Sequence, residues 1–208
     1  RRLDKIKEVA AIELNISCPN IGHRSLVIGH RSNHKNLQPI TCNLSPKLIA
    51  QDPNSTYAVV NRVRKVTQKT LITKLSPNVS DIAEIAKAAQ AAGTDAVALI
   101  NTITGMSIDV KTGKPRIAMA TGGLSGPAIR PVAVRMVWEV YQKIKIPIIG
   151  MGGITDTQSA LEFFMAGATA ISIGTANFIN PRVTIEIIAG IKRYLIRNKI
   201  KDIKALIG

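Results

Sequence analysis

The chain has 208 residues, 46% hydrophobic and 3% aromatic, enough to bury a sizeable core of small and branched side chains. No apolar run approaches the roughly 18 residues of a membrane-spanning helix. Two cysteines, Cys18 and Cys42, make no disulfide framework and fit a reducing cytoplasm.

The formal net charge is +15, from 28 Lys and Arg against 13 Asp and Glu. The basic residues are scattered through the first residues, 62–74 and the last helix, with no recognisable nucleic-acid module. Three Phe, three Tyr and one Trp are few for base stacking. The charge therefore suits non-specific adhesion, or attraction of an anionic substrate or phosphate cofactor, better than specific reading of a nucleic acid.

The chain opens Arg1-Arg2 rather than with Met and shows no secretory leader, as a fragment of a longer protein would. Residues 11–17 then read as a buried strand, an apolar run broken only by Glu13 and Asn15. It exits into Asn15, Ser17, Cys18 and Asn20, with Pro19 stopping the strand and biasing Cys18 toward extended geometry. Carboxamides and a thiol at a strand exit read as a site; a β-turn with a packed cysteine is the alternative.

Segment 21–50 carries a tandem repeat, Ile21-Gly22-His23-Arg24-Ser25 and Ile28-Gly29-His30-Arg31-Ser32, and all three histidines (His23, His30, His34). The Cys and His spacings do not resemble a paired zinc module, so no metal is expected and the segment reads as an inserted, polar, poorly ordered loop. Order returns with a helix over 54–67, capped by Asn54 or Ser55 and showing Val59, Val60, Val63 and Val66 on one face. Strands follow at 71–76 and 96–102, separated by a helix that Ser80 caps and Gly93 ends. The connection 103–127 contains a hairpin signal at 109–114. After it come a helix at 129–143, a strand at 146–150, a helix at 155–166 with a Thr155/Gln158 capping box, a strand at 170–174 and a helix at about 182–197. This alternation, one βα unit used repeatedly over 208 residues, predicts a single α/β domain with a parallel sheet.

Polar residues or glycines end all five strands, the arrangement that puts an active site on the C-terminal face of a (β/α)8 barrel. Gly152-Gly153 and Gly174-Thr175 end consecutive strands, and bare glycine N–H groups there, with a helix N-terminus near Thr155, have the form of a phosphate site. Lys74 ends an otherwise apolar strand; it either snorkels to water or places its cation beside an electron-rich cofactor.

A family resemblance rests on Ile12-Glu13-Leu14-Asn15-Ile16-Ser17-Cys18-Pro19-Asn20, Lys74-Leu75-Ser76-Pro77-Asn78-Val79, Ile100-Asn101-Thr102, Gly122-Gly123-Leu124-Ser125-Gly126-Pro127, Gly150-Met151-Gly152-Gly153-Ile154 and Ile173-Gly174-Thr175-Ala176-Asn177-Phe178. Together these motifs resemble class 1 dihydroorotate dehydrogenases, most closely the NAD-linked class 1B catalytic subunit, from residue 9 to about 185 apart from 21–50. The resemblance implies a TIM barrel that binds FMN and oxidises dihydroorotate to orotate in pyrimidine biosynthesis. It implies Cys18 as the base that removes the C5 proton while hydride leaves C6 for flavin N5. It implies Asn15, Asn20, Asn101 and Thr102 as substrate contacts, and Asn15, Lys74, Ile100, Gly126, Gly152, Gly153, Gly174 and Thr175 as FMN contacts. It also implies an electron-transfer partner subunit carrying FAD and an iron–sulfur cluster, in a homodimer or heterotetramer.

A barrel of this kind needs about 250 residues or more. The first βα units, which in the family bring a substrate-contacting lysine and an Asn-containing loop, are not found, so an incomplete barrel of about the last five units, marginal and aggregation-prone, is expected. The 21–50 insertion falls where the family has a shorter loop closing over the site. Two other functions are open. One is a dihydropyrimidine dehydrogenase-like flavin enzyme, whose catalytic cysteine would directly precede Gln51-Asp52-Pro53; Leu48-Ile49-Ala50 stands there instead. The other is an inactive basic fragment that binds anions or nucleic acid through charge.

Overall fold

The computed structural model describes residues 2–17 and 49–208. Cys18, Asn20, the tandem repeat, the histidines and Cys42 lie outside the described residues. Among the described residues no helix is long and apolar enough to cross a membrane, and no group of three or more His, Cys, Asp or Glu could hold a metal ion.

The first strand, β1 (Ala11–Asn15), is followed after the undescribed segment by a 3-10 turn, Ile49–Gln51, and helix α1 (Pro53–Arg64). Ile49 and Ala50, the last two residues of the loop expected over 21–50, are ordered: Ala50 is fully buried and the Ile49 carbonyl accepts the Thr56 hydroxyl at 2.9 Å. Strand β2 (Thr70–Lys74), helix α2 (Ile82–Ala91) and strand β3 (Ala96–Leu99) come next. The connection after β3 holds two nested antiparallel hairpins: β4 (Ile103–Met106) pairs with β7 (Thr121–Leu124), and inside them β5 (Ile108–Asp109) pairs with β6 (Lys114–Pro115). Helix α3 (Arg130–Tyr141), strand β8 (Ile148–Met151), helix α4 (Thr157–Met165), strand β9 (Ala170–Ser172) and helices α5 (Ala176–Ile179) and α6 (Val183–Arg197) complete the order.

The five expected strands form one parallel sheet, ordered β1-β2-β3-β8-β9. Helices connect its successive strands, as parallel pairing requires. Register decides which side chains share a face, because residues opposite one another in a ladder point the same way. Leu14, Thr73, Val97 and Ile148 lie in one row, and the main apolar core packs on that side, with Phe163, Val137 and Ile85 from the helices fully or almost fully buried. The adjacent row, Asn15, Lys74, Ala98, Ile149 and Ala170, points to the opposite, helix-free face. That face carries the polar side chains the site needs.

Several local expectations are corrected. The first strand is not buried: its residues alternate between exposed and half-buried, because β1 is the edge of the sheet and has β2 as its one neighbour. Helix α1 is capped by Asp52, whose Oδ2 accepts the Ser55 N–H at 2.7 Å, and not by Asn54 or Ser55; Pro53 occupies the first turn, where a missing N–H costs nothing. Helix α2 is capped by Asp81, not Ser80, through the N–H groups of Ala83 and Glu84. In α4 the capping box is Asp156/Ser159 rather than Thr155/Gln158. In all three helices an aspartate stands next to the predicted polar residue or one or two positions from it. In each case the aspartate is the residue that stands in extended backbone just before the first helical turn, where its carboxylate reaches the free N–H groups.

Candidate functional site

Five parallel strands bring their C-terminal ends to one side, and a cavity of about 210 Å³ opens there. Its lining includes Lys74 from β2, Ile100, Asn101 and Thr102 after β3, Gly126 after β7, Gly152 and Gly153 after β8, and Gly174 and Thr175 after β9. All the expected cofactor contacts other than Asn15 thus line one space, together with the substrate candidates Asn101 and Thr102. Asn15 stands beside it, in register with Lys74. Cys18 and Asn20 lie outside the described residues.

Among the described residues, Lys74 is the one charged side chain in the lining. It keeps only 21% of its side-chain surface in solvent, and its Nζ lies 4.0 Å from Glu13 Oε1. That separation, with Glu13 half in water, makes a loose ion pair worth little to stability. Among the described residues Lys74 thus has no tighter ion-pair partner than Glu13, and it is not fully snorkelled to solvent.

At the other end three turns interlock. Gly126 has φ +90°, Gly152 +130° and Gly153 +74°, backbone regions that L side chains rarely enter. A Cβ on Gly153 would stand 2.7 Å from the Gly126 carbonyl oxygen, so the turns after β7 and β8 touch backbone to backbone. The Thr175 and Ser125 hydroxyls share a hydrogen bond at 3.1 Å, tying the turn after β9 to the same place. Gly174 differs from these. Its φ is outside the positive region, and a Cβ there would meet nothing within 4 Å. Among the described residues nothing demands glycine at 174, and the space its missing side chain leaves adjoins the cavity.

At the α4 N-terminus the Asp156 carboxylate accepts the Ser159 N–H at 2.7 Å, and this bond holds its pKa below the ordinary carboxylate value.

The strand exits are held by a network that sequence reading did not resolve. Asn101 Nδ2 donates to the Ser17 hydroxyl at 2.7 Å and the Ser17 carbonyl at 3.2 Å, while its Oδ1 accepts the Thr102 N–H at 2.8 Å. Ser17 in turn donates to Asn15 Oδ1 at 2.9 Å. Asn78 clamps the next exit: its Nδ2 donates to the Thr102 carbonyl at 3.1 Å and its Oδ1 accepts the Thr104 N–H at 2.9 Å. A Cβ on Gly123 would collide with the Thr102 side chain, which nests against β7. Ser17 belongs to the strand-exit cluster read from sequence, whereas nothing in the sequence assigns a role to Asn78 or Ser125 beyond their place inside the strand-exit motifs.

A match to the dihydroorotate dehydrogenase family runs over residues 1–195. The chain belongs to the dihydroorotate dehydrogenase family. It is 50% identical over 207 residues to the Geobacter metallireducens protein named dihydroorotate dehydrogenase B (NAD(+)), catalytic subunit, covering 100% of this chain and 61% of that relative. The Trichlorobacter lovleyi protein of the same name is 49% identical over the same length and coverage. The Caldicellulosiruptor bescii one is 49% identical over 200 residues, covering 96% of this chain and 60% of its own. The chain thus spans about 61% of the length of the first of these relatives. The five-stranded parallel sheet with its helices is the α/β architecture of this family, an incomplete arc of its TIM barrel.

The residues present suit a flavin mononucleotide. Glycine turns with bare N–H groups, and an open space at Gly174, can take a phosphate. Ile100, Ile129 and Met151 offer apolar surface to a planar ring, and Lys74 offers a cation.

Proposed function

We propose that the cavity binds FMN and that the protein oxidises dihydroorotate to orotate in pyrimidine biosynthesis. The observation that carries this reading is one cavity bounded by a lightly paired lysine at one end and three interlocked glycine turns at the other, with Asn101 and Thr102 between them in the lining. In this reading Gly152, Gly153, Gly174 and Thr175 hold the FMN phosphate end, and Asn15, Lys74, Ile100 and Gly126 contact the cofactor elsewhere.

Bound FMN supplies a two-electron acceptor for the hydride that leaves C6 of the substrate. Cys18 takes the proton from C5, so that a C5=C6 double bond forms and one hydride and one proton leave. A thiol suits this task when its pKa is brought near neutrality and water is kept away. Asn15, Asn20, Asn101 and Thr102 hold the pyrimidine, whose carbonyls, N–H groups and carboxylate call for both donors and acceptors. Lys74 would hold its cation beside the bound cofactor, where positive charge favours electron acceptance. The relatives named as catalytic subunits of an NAD-linked enzyme favour a partner subunit that carries the electrons onward. On this reading FAD and an iron–sulfur cluster reside on that partner, and the assembly is a homodimer or heterotetramer.

The test is a titration of the purified chain with FMN, read by quenching of flavin fluorescence, followed by orotate. Saturable FMN binding and an orotate-dependent change in the visible flavin spectrum are expected. Free flavin that passes through gel filtration unretained would refute the cofactor assignment.

A further inference from the structure

Ser17 is 1% exposed and lies between two carboxamides that belong to different strand exits. A hydroxyl has one proton to give, so the bridge has a direction, and backbone groups pin that direction at both ends. At one end the Ser17 N–H donates to Asn15 Oδ1 at 3.3 Å. A backbone N–H cannot accept, so the oxygen of Asn15 and not its nitrogen must face Ser17. At the other end the Ser17 carbonyl accepts from Asn101 Nδ2 at 3.2 Å, and the Thr102 N–H donates to Asn101 Oδ1 at 2.8 Å. Both contacts require the nitrogen of Asn101 to face Ser17. The relay therefore runs one way, from Asn101 Nδ2–H to Ser17 Oγ–H to Asn15 Oδ1.

We propose that Ser17 is a positioning residue: its N–H and carbonyl fix which end of each carboxamide faces it, and its hydroxyl bridges and holds the two, leaving Asn15 Nδ2 as the donor the site offers to an acceptor oxygen of its ligand, a ring carbonyl or a carboxylate. The same relay ties the exit of β1 to that of β3, two strands apart in the sheet, across the row that holds Lys74. Burial raises the value of such a relay, because a buried hydroxyl deprived of either partner keeps its desolvation cost. This inference rests on the reading of the strand exits as a pyrimidine site, and the test separates the two.

The first arm needs no ligand. The side-chain NH2 signals of Asn15 and Asn101 are followed by 15N–1H NMR in the full chain and assigned by their loss in Asn15→Asp and Asn101→Asp. Ser17→Ala is expected to move both pairs and speed their solvent exchange, while Ser17→Thr, which keeps the hydroxyl, restores them toward the parent positions. Asn101→Asp turns a donor into an acceptor and should move the Asn15 pair although the two side chains are not bonded to each other. Asn15 signals unmoved by both Ser17→Ala and Asn101→Asp would overturn the proposal, and because the second variant leaves Ser17 intact, a folding failure of the first does not shelter it. The second arm measures orotate binding to the FMN-loaded chain by flavin difference spectra. Ser17→Ala should weaken orotate by about tenfold, the worth of one lost hydrogen bond to a buried polar group, with FMN affinity changed less. If the parent binds no orotate, the pyrimidine assignment fails and the first arm still decides the role of Ser17.

Discussion

Gly174 and Gly153 are both glycines in the candidate anion cradle, but the fold treats them oppositely, and that contrast separates a ligand requirement from a folding one. At Gly174 an added methyl group meets nothing within 4 Å and the backbone is in an ordinary region. Gly174→Ala should therefore leave stability unchanged or raise it by about 0.4–1 kcal/mol, by reducing the freedom of the unfolded chain. The methyl would project into space that the proposal gives to the FMN phosphate. Losing a close N–H contact to a charged oxygen costs about 1.5–3 kcal/mol, which is roughly 10- to 150-fold in the dissociation constant. At Gly153 the same methyl requires φ +74° and a 2.7 Å approach to the Gly126 carbonyl. Gly153→Ala should cost about 1–3 kcal/mol of stability through strain alone, and its flavin binding should fall with the displaced turn. Urea unfolding of the apoprotein and fluorescence titration with FMN measure the two quantities separately. Gly174→Ala with parental FMN affinity would refute the phosphate assignment; Gly174→Ala with lowered apoprotein stability would refute the claim that its space is empty of protein.

Asn78→Ala should destabilise the chain by about 1–3 kcal/mol, since it leaves the Thr104 N–H and the Thr102 carbonyl without their partner; chemical denaturation gives the value, and a change below about 0.5 kcal/mol would show that water replaces the clamp. Asp156 is held below its ordinary pKa, first by the Ser159 N–H and in part by Arg130. A depressed carboxylate stabilises the fold above its unfolded pKa and loses that effect as pH falls through the folded value. Asp156→Ala should therefore cost about 1 kcal/mol at neutral pH and converge on the parent in acid, as thermal melts at neutral and acidic pH would reveal.

The parallel arc was legible because each strand is a short apolar run ended by proline, glycine or a polar cluster, and the longer helices carry their own apolar period. Those are local properties of the chain. The exposure of β1 was not, because an edge position is a property of the whole sheet: Ile12 and Leu14 are only half-buried and Ala11, Glu13 and Asn15 are exposed on the helix-free face, while Ile16, just beyond the strand, is buried as its sequence suggests. The caps slipped by one or two residues for a different reason. Asp52, Asp81 and Asp156 compete with neighbouring Asn, Ser or Thr for the same N–H groups, and composition does not say which acceptor reaches them.

The site divides in the same way. Gly152 and Gly153 could be picked out as a turn because glycine declares its own backbone freedom. Ser17 stands in a polar cluster that reads as a site, but its role does not show there, because that role lies in a partner 84 positions away, Asn101, and in the direction of a single proton. A polar cluster in sequence announces that hydrogen bonds will be made but leaves their polarity open, and polarity decides whether a carboxamide offers a ligand its oxygen or its nitrogen. At Asn15 that choice follows from one backbone N–H, that of Ser17.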